Sequence, residues 1–288
     1  MTFQKHTKIN EYFFNYLIFK TLTMKKSKII YQTLPLLLLL FSVSVKSFSA
    51  PQAKQQIYEV KIYRINGPAQ ETMIDAYLKG AFLPALHRAG IPTVGVFKPI
   101  EADTAFGKLI YVFIPFNTID QYSQLSDKLD KDQVYAQTGK GFLDAPYNNP
   151  PFVRYESILA KAFTHMPQFK VPSFTTPNSE RIYEYRSYES ATEAKAAKKI
   201  QMFNEGGEIG IFQSIGANPV FYAKVLLGSQ MPRLIYMTTY ADMKSHDDHW
   251  VAFRNHPDWK KLSAMEEYKN STSKTKVYLL HPTNYSDF

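Results

Sequence analysis

Apolar and polar residues alternate along Ile57-Tyr58-Glu59-Val60-Lys61-Ile62-Tyr63, the period of a strand. From about 69 to 89 the apolar positions recur at helical spacing, and Gly90 offers a stop. Strand-like runs follow near 93–98 and 108–116, then a helical pattern from about 118 to 136 and a last strand near 153–162. The order then recurs: strand 181–189, helix 191–213, strands 218–226 and 233–240, helix 242–254 with 258–268 beyond a break, strand 275–281. The letters recur as well. Ile57-Tyr58-Glu59-Val60-Lys61-Ile62-Tyr63 aligns with Ile182-Tyr183-Glu184-Tyr185-Arg186-Ser187-Tyr188, and Leu109-Ile110-Tyr111 aligns with Leu234-Ile235-Tyr236 at the same spacing. Two copies of one unit are expected.

Each unit reads β-α-β-β-α-β, the ferredoxin-like plan. The expected domains are 55–162 and 181–288, joined by 163–180, where Pro167, Pro172 and Pro177 interrupt any period. A sheet covered by helices on one face must bury the other, and the two units offer each other as partner. The expected fold class is therefore α+β, two tandem ferredoxin-like units pairing within the chain as an α/β barrel. A homodimer is compatible with this but not required.

Composition narrows the chemistry. The 288 residues contain no cysteine, which excludes disulfides, thiolate nucleophiles and thiolate metal sites. Met24-Lys25-Lys26-Ser27-Lys28 followed by the apolar run Leu34 to Val45 and the small residues Ser47, Ser49 and Ala50 reads as a signal peptide over 24–50. Residues 1–23 then read as an upstream extension. The apolar run is shorter than a bilayer span, so the expected location is exported and periplasmic, with no lasting membrane anchor. The net charge of +9 is mostly a property of this leader, because residues 1–49 carry seven lysines and one glutamate. Beyond them 27 basic residues face 24 acidic ones, a net of +3, and a nucleic-acid partner is not expected.

The strand Tyr183-Glu184-Tyr185-Arg186-Ser187-Tyr188 resembles the Tyr-Glu-Leu-Arg-x-Tyr opening of the NIPSNAP family, within the dimeric α/β-barrel superfamily. Pro219-Val220-Phe221-Tyr222, Met231-Pro232-Arg233-Leu234-Ile235-Tyr236-Met237 and the stretch from Trp250 to Lys260 resemble its later segments. The first copy is a looser match, with Lys61 in place of Arg186 and no counterpart of Trp250 to Trp259. The resemblance implies an exported bacterial-type member. Familiar members of the family are mitochondrial proteins linked to signalling and organelle quality control. The wider superfamily spans cofactor-free oxygenases, haem-binding enzymes and isomerases, and a shared fold does not choose among them.

Candidate chemistry starts on the first strand of each copy. Glu184, Arg186 and Tyr188 share one face, as do Glu59, Lys61 and Tyr63. The more apolar set, Tyr183, Tyr185 and Ser187, suits the helices, so the charged triplets are expected to point into the barrel. There they would orient a polar ligand, transfer protons, or simply pair and fix how the copies dock. Tyr111, Tyr222, Tyr236 and Phe97 fall on the inner strands and are expected to line an aromatic pocket or to pack the sheet.

At about 100° per residue, His246, His249, Trp250 and Phe253 share one helical stripe. Asp247 and Asp248 lie off it. A zinc site needs three convergent ligands, and a third would have to come from elsewhere, such as Glu208 or His281. Neither a metal nor a cofactor is expected. The first copy keeps the stripe with Tyr122, Leu125 and Leu129 but has Gln121 and Gln124 in place of the histidines. Phosphate-binding glycine motifs and the Gly-x-Ser-x-Gly nucleophile motif are absent from the sequence. Three readings remain. The leading one is a small apolar or aromatic ligand bound in the barrel. The second is a cofactor-free oxygenase or isomerase using Glu184, Arg186, the tyrosines and His249. The third is an interaction protein with a filled barrel.

Overall fold

The computed structural model describes residues 53–288. The expected extension (1–23) and signal peptide (24–50) lie outside the described residues. Among the described residues no helix is long and apolar enough to cross a membrane.

The chain runs β1 (Ile57–Arg64), α1 (Pro68–Tyr77), a π-turn (Leu78–Phe82), α2 (Leu83–Arg88), β2 (Gly95–Pro99) and β3 (Leu109–Phe116). Four short helices follow, α3 (Ile119–Ser123), α4 (Leu125–Asp130), α5 (Gln133–Thr138) and α6 (Lys140–Leu143), and then β4 (Arg154–Ala162). The second half runs β5 (Ile182–Glu189), α7 (Glu193–Phe203), α8 (Glu208–Ser214), β6 (Asn218–Leu227), β7 (Arg233–Tyr240), α9 (Met243–Asn255), α10 (Pro257–Ser263) and β8 (Lys274–Pro282). Helix starts follow local chemistry. The Thr118, Thr192 and Asp242 side chains accept the backbone N–H of Gln121, Lys195 and Ser245, capping α3, α7 and α9. Pro257 ends the α9 ladder, and His256 Nδ1 accepts from Asp258 N to start α10.

The strands close into a barrel in the order β1-β3-β2-β8-β5-β7-β6-β4. Within each half the sheet order is last, first, third, second, as the ferredoxin-like plan requires. The halves join where β2 pairs with β8 and β4 with β6, both antiparallel. Closure leaves no open edge among the described strands.

Two buried layers result. Inside the barrel Phe113 stacks on Phe221 at 4.7 Å between ring centroids, Phe97 meets Tyr183 at 4.7 Å, and Phe288 leans on both Phe97 and Phe113. Outside it each half packs its helices on the sheet. Ile74, Leu83, Ile110, Val112 and Ile114 are buried in the first half, and Phe203, Phe212, Tyr222, Tyr236 and Trp250 in the second.

This arrangement corrects the expected faces. Tyr183 and Tyr185 point into the barrel, while Glu184, Arg186 and Tyr188 face the helices. Glu59, Lys61 and Tyr63 do the same in the first half. Both faces of β5 are buried, so alternation alone cannot say which is inside. Hydrogen-bond supply decides: the helix layer offers Glu184 the Trp250 N–H, whereas the interior is mostly hydrocarbon and aromatic ring. Tyr222 and Tyr236 also lie in the helix layer, and Tyr111 and Phe97 lie inside. The expected ligand space in the barrel is replaced by side chains. At the mouth of the barrel next to Tyr111 and Tyr185 is a cavity of about 30 Å³, which suits a water and not an aromatic ring.

Candidate functional site

The most polar part of the helix layer lies beneath α9. Arg186 donates to Glu184 Oε1 through Nε at 2.8 Å, and its Nη2 lies 2.7 Å from the same oxygen. Trp250 Nε1 donates to Glu184 Oε2 at 2.6 Å. The indole also lies over the guanidinium, 3.9 Å from ring centroid to Cζ, a cation–π contact strengthened by burial. Arg186 Nη1 donates to the Tyr188 hydroxyl at 3.0 Å, and that hydroxyl meets Tyr236 at 2.8 Å. His246 Nε2 stands 3.4 Å from Glu184 Oε2 without forming a hydrogen bond, and its Nδ1 contacts Asp247 at 2.9 Å. Polar groups thus line up from buried Tyr236 to Asp247 at the surface, hydrogen-bonded throughout except between Glu184 and His246.

The electrostatics follow from these partners. Burial opposes the Glu184 charge, but His246 and Arg186 outweigh it and hold the carboxyl below its ordinary range. Glu184 is therefore an occupied anion and a poor general base. Burial raises the Tyr236 and Tyr222 phenols well above their usual value, so both remain neutral donors at ordinary pH. Burial works against the His246 charge, yet Glu184 and Asp247 raise its pKa overall.

A second buried ion pair lies alongside. Lys199 Nζ on α7 donates to Glu208 Oε2 on α8 at 2.8 Å, and both side chains are almost fully shielded. The ammonium also sits 4.8 Å from the Phe203 ring and 5.6 Å from the Tyr188 and Trp259 rings. Burial pushes the Glu208 carboxyl up, although Lys199 pulls against it. Next to this pair the Tyr222 hydroxyl is buried without a hydrogen-bond partner. A surface groove of about 420 Å³ crosses the helices just outside, bordered by Gly207, Gly210, Ser214, His256 and Leu262. Gly207, in the left-handed region at φ 89°, makes the turn that starts α8 at Glu208.

The first half serves as an internal control. Counted from the helix starts, Lys199 in α7 corresponds to Ile74 in α1, and Glu208 opens α8 as Leu83 opens α2; Ile74 and Leu83 are buried. The strand register gives a further contrast. Arg186 pairs with Tyr236 in the second half, whereas Lys61 pairs with Val112 in the first. The true counterpart of Tyr236 is therefore Val112, and Tyr111 pairs with Ile62 on the interior face. The alignment of Tyr111 with Tyr236 by letters is one residue out of register, and one residue flips the face. What both halves share is the carboxylate–cation pair: Lys61 Nζ lies 3.4 Å from Glu59 Oε1, which also accepts from Ser157 Oγ at 2.6 Å. Tyr63 packs among Phe142, Phe152 and Tyr155.

The structure brings Glu184, Arg186, Tyr188, Tyr222 and Tyr236 into one layer. Glu59, Lys61 and Tyr63 occupy the matching layer of the other half, and Tyr111 lies inside the barrel. His249 does not join the network; its Nδ1 meets the Ser245 carbonyl oxygen at 2.6 Å. His246, one turn earlier, takes that place. Its position on the shared stripe with Trp250 was the available signal. Lys199 was missed, and Glu208 was considered only as a third metal ligand, because a lysine and a glutamate in amphipathic helices normally read as solvated. His281 Nδ1 lies 2.8 Å from the Arg181 carbonyl oxygen. Among the described residues no three His, Asp or Glu side chains gather in a metal-binding arrangement.

Fold and site together define a ferredoxin-like α/β-barrel protein whose second half adds a second buried ion pair to the one that both halves share. The NIPSNAP family model matches residues 183–287, so the second half of the chain carries a NIPSNAP-like domain. No curated protein matches the chain. Among solved structures, a candidate monooxygenase from Lactobacillus acidophilus is similar over 80% of this chain and 94% of its own, at 12% identity and TM-score 0.49. A NIPSNAP family protein from Agrobacterium tumefaciens matches 42% of this chain and 98% of its own, at 18% identity and TM-score 0.34. A chlorite dismutase mutant from Candidatus Nitrospira defluvii matches 80% and 92%, at 8% identity and TM-score 0.41. At these identities the likenesses carry nothing about chemistry.

Proposed function

We propose that this is an exported protein that binds a small ligand at the helix layer of its NIPSNAP half, approached through the groove over Gly207. The observation that carries the reading is the contrast between halves. One half builds the layer from Ile74, Leu83 and Val112, and the other puts Lys199, Glu208 and Tyr236 at the same places. The fold does not need the polar set, and buried charges are expensive to keep. Their donors (the Tyr222 hydroxyl, Lys199 and Arg186) beside Phe203, Trp250 and Trp259 suit a small aromatic compound bearing an acidic or hydroxyl group. Export rests on the leader at 24–50, and the two halves are read as an internal duplication.

Binding is favoured over catalysis because the Glu184 carboxylate is occupied by Arg186 and Trp250 and the tyrosines are held protonated. A cofactor-free oxygenase or isomerase reading keeps one support: Glu208 is a carboxyl with a raised pKa beside a cation, a pattern suited to proton transfer. Native mass spectrometry of protein purified from its own cells tests the proposal. A retained small molecule is expected, and it should be lost in the double variant Lys199→Ile, Glu208→Leu. Wild-type protein that retains no molecule would overturn it.

A further inference from the structure

At the end of the barrel away from the Phe113–Phe221 stack, the interior changes from rings to charges. Arg64, Tyr111, Glu156, Tyr185, Arg233 and Lys276 surround the cavity of about 30 Å³. All lie on inward-facing strand positions, and none belongs to the layer beneath α9. Tyr111, Tyr185 and Arg233 are 1%, 2% and 4% exposed. Yet the Tyr111 hydroxyl, the Tyr185 hydroxyl and Arg233 Nε have no hydrogen-bond partner. Three groups able to donate are thus orphaned around one small space. A buried donor left unpaired carries its full desolvation cost, and native interiors rarely leave several together.

Charged groups ring the space. Arg233 Nη2 lies 2.6 Å from Glu156 Oε1, which also accepts from Ser229 Oγ at 2.6 Å. Lys276 Nζ lies 3.1 Å from Glu189 Oε1. Arg64, exposed at the rim, adds a third cation, and Asp103 near Tyr111 adds a third carboxylate. The remaining contacts of Arg233 Nη1, to Ser187 Oγ and Gln230 Oε1, are long at 3.4 Å each. A water could donate to the phenolic oxygens, but it accepts at most two hydrogen bonds, and three donors border the space. A single negative ion accepts from all three donors at once. The volume admits one atom-sized species and excludes phosphate groups and rings.

We propose that this mouth of the barrel binds one small monovalent anion of the halide class, held by the Tyr111 and Tyr185 hydroxyls and the Arg233 guanidinium. The ion then acts as a plug that ties β3, β5 and β7 together at the polar end, as the aromatic stack does at the other. The site is independent of the ligand layer beneath α9 and survives or fails without it.

Bromide is the probe. The protein is melted in sodium bromide and in sodium gluconate at equal ionic strength, and crystals grown in bromide are measured at the bromine absorption edge. Tyr111→Phe and Tyr185→Phe remove one orphaned hydroxyl each while keeping the ring, so both variants should fold. Expected are a bromine anomalous peak within hydrogen-bonding distance of both hydroxyls and a bromide-dependent rise in melting temperature that is at least halved in each variant. An ordered water with no anomalous signal at this position overturns the proposal. So does a bromide response of equal size in wild type and both variants.

Discussion

Glu184 shows how one carboxylate can be both buried and stable. It is 1% exposed yet takes hydrogen bonds from Arg186 and Trp250, so its desolvation is offset by charge-assisted bonds. His246 is the adjustable member. It faces Glu184 from β5, Asp247 on its own helix and the Tyr240 ring from β7 at 4.9 Å, and Arg186 shares the same carboxylate. Its pKa is raised on folding, so its charge stabilises the fold below the unfolded histidine value of about 6.5. That contribution is lost as pH rises through the higher folded value. Glu184 works in the opposite sense, because its lowered pKa gives stability above about pH 4.3 that is lost as pH falls through the folded value. Urea unfolding of wild type and His246→Gln at about pH 5.5 and about pH 8 separates the two terms. The wild-type advantage should be larger at the lower pH and shrink at the higher. An advantage that is constant between the two would show that His246 is only packing.

At the scale of elements, α7 and α8 carry the buried charge that their counterparts in the first half lack. Their shared face carries Lys199 and Glu208 where α1, the π-turn and α2 present Ile74 and Leu83. Breaking a buried pair by removing one partner typically costs about 3–5 kcal/mol, while replacing both with apolar residues is often neutral. Lys199→Ile alone should therefore destabilise by about 3 kcal/mol, and adding Glu208→Leu should recover most of it. Urea denaturation of both variants checks this, and a double variant no better than the single would show that the pair earns its place structurally. The elements themselves were legible in the sequence because each carries a local signal: the alternation of β1 and β5, Gly90 after α2, Pro257 between α9 and α10. The register of β3 against β7 was not. Leu109-Ile110-Tyr111 and Leu234-Ile235-Tyr236 share letters, but pairing partners on β1 and β5 set the face, and those are not visible in either segment alone.

For the whole molecule, the limit of the sequence is that a barrel wrapped in helices buries both faces of every strand. The charged set Glu184, Arg186 and Tyr188 and the ring set Tyr183 and Tyr185 alternate cleanly, yet either could have been inside. The choice is global, made by eight strands together. The interior closes on itself through Tyr58, Phe113, Phe221 and Phe288, and the Glu184–Arg186 pair is left to the layer where Trp250 can reach it. If the barrel is filled, wild type should not respond to small apolar molecules, and an engineered gap should. Phe113 is the place to make one. It is 1% exposed, and rings surround it on several sides, with Tyr58 at 5.1 Å, Phe221 at 4.7 Å and Phe169 at 5.7 Å between centroids. Phe113→Ala should cost about 3–5 kcal/mol, as large-to-small changes at such sites do. Because the resulting space is lined by hydrocarbon and aromatic carbon, it should stay dry and accept benzene. Benzene should then raise the melting temperature of the variant and leave that of wild type unchanged. A wild-type response equal to the variant's would mean that the barrel already has room for a ligand, and the binding site would belong inside it after all.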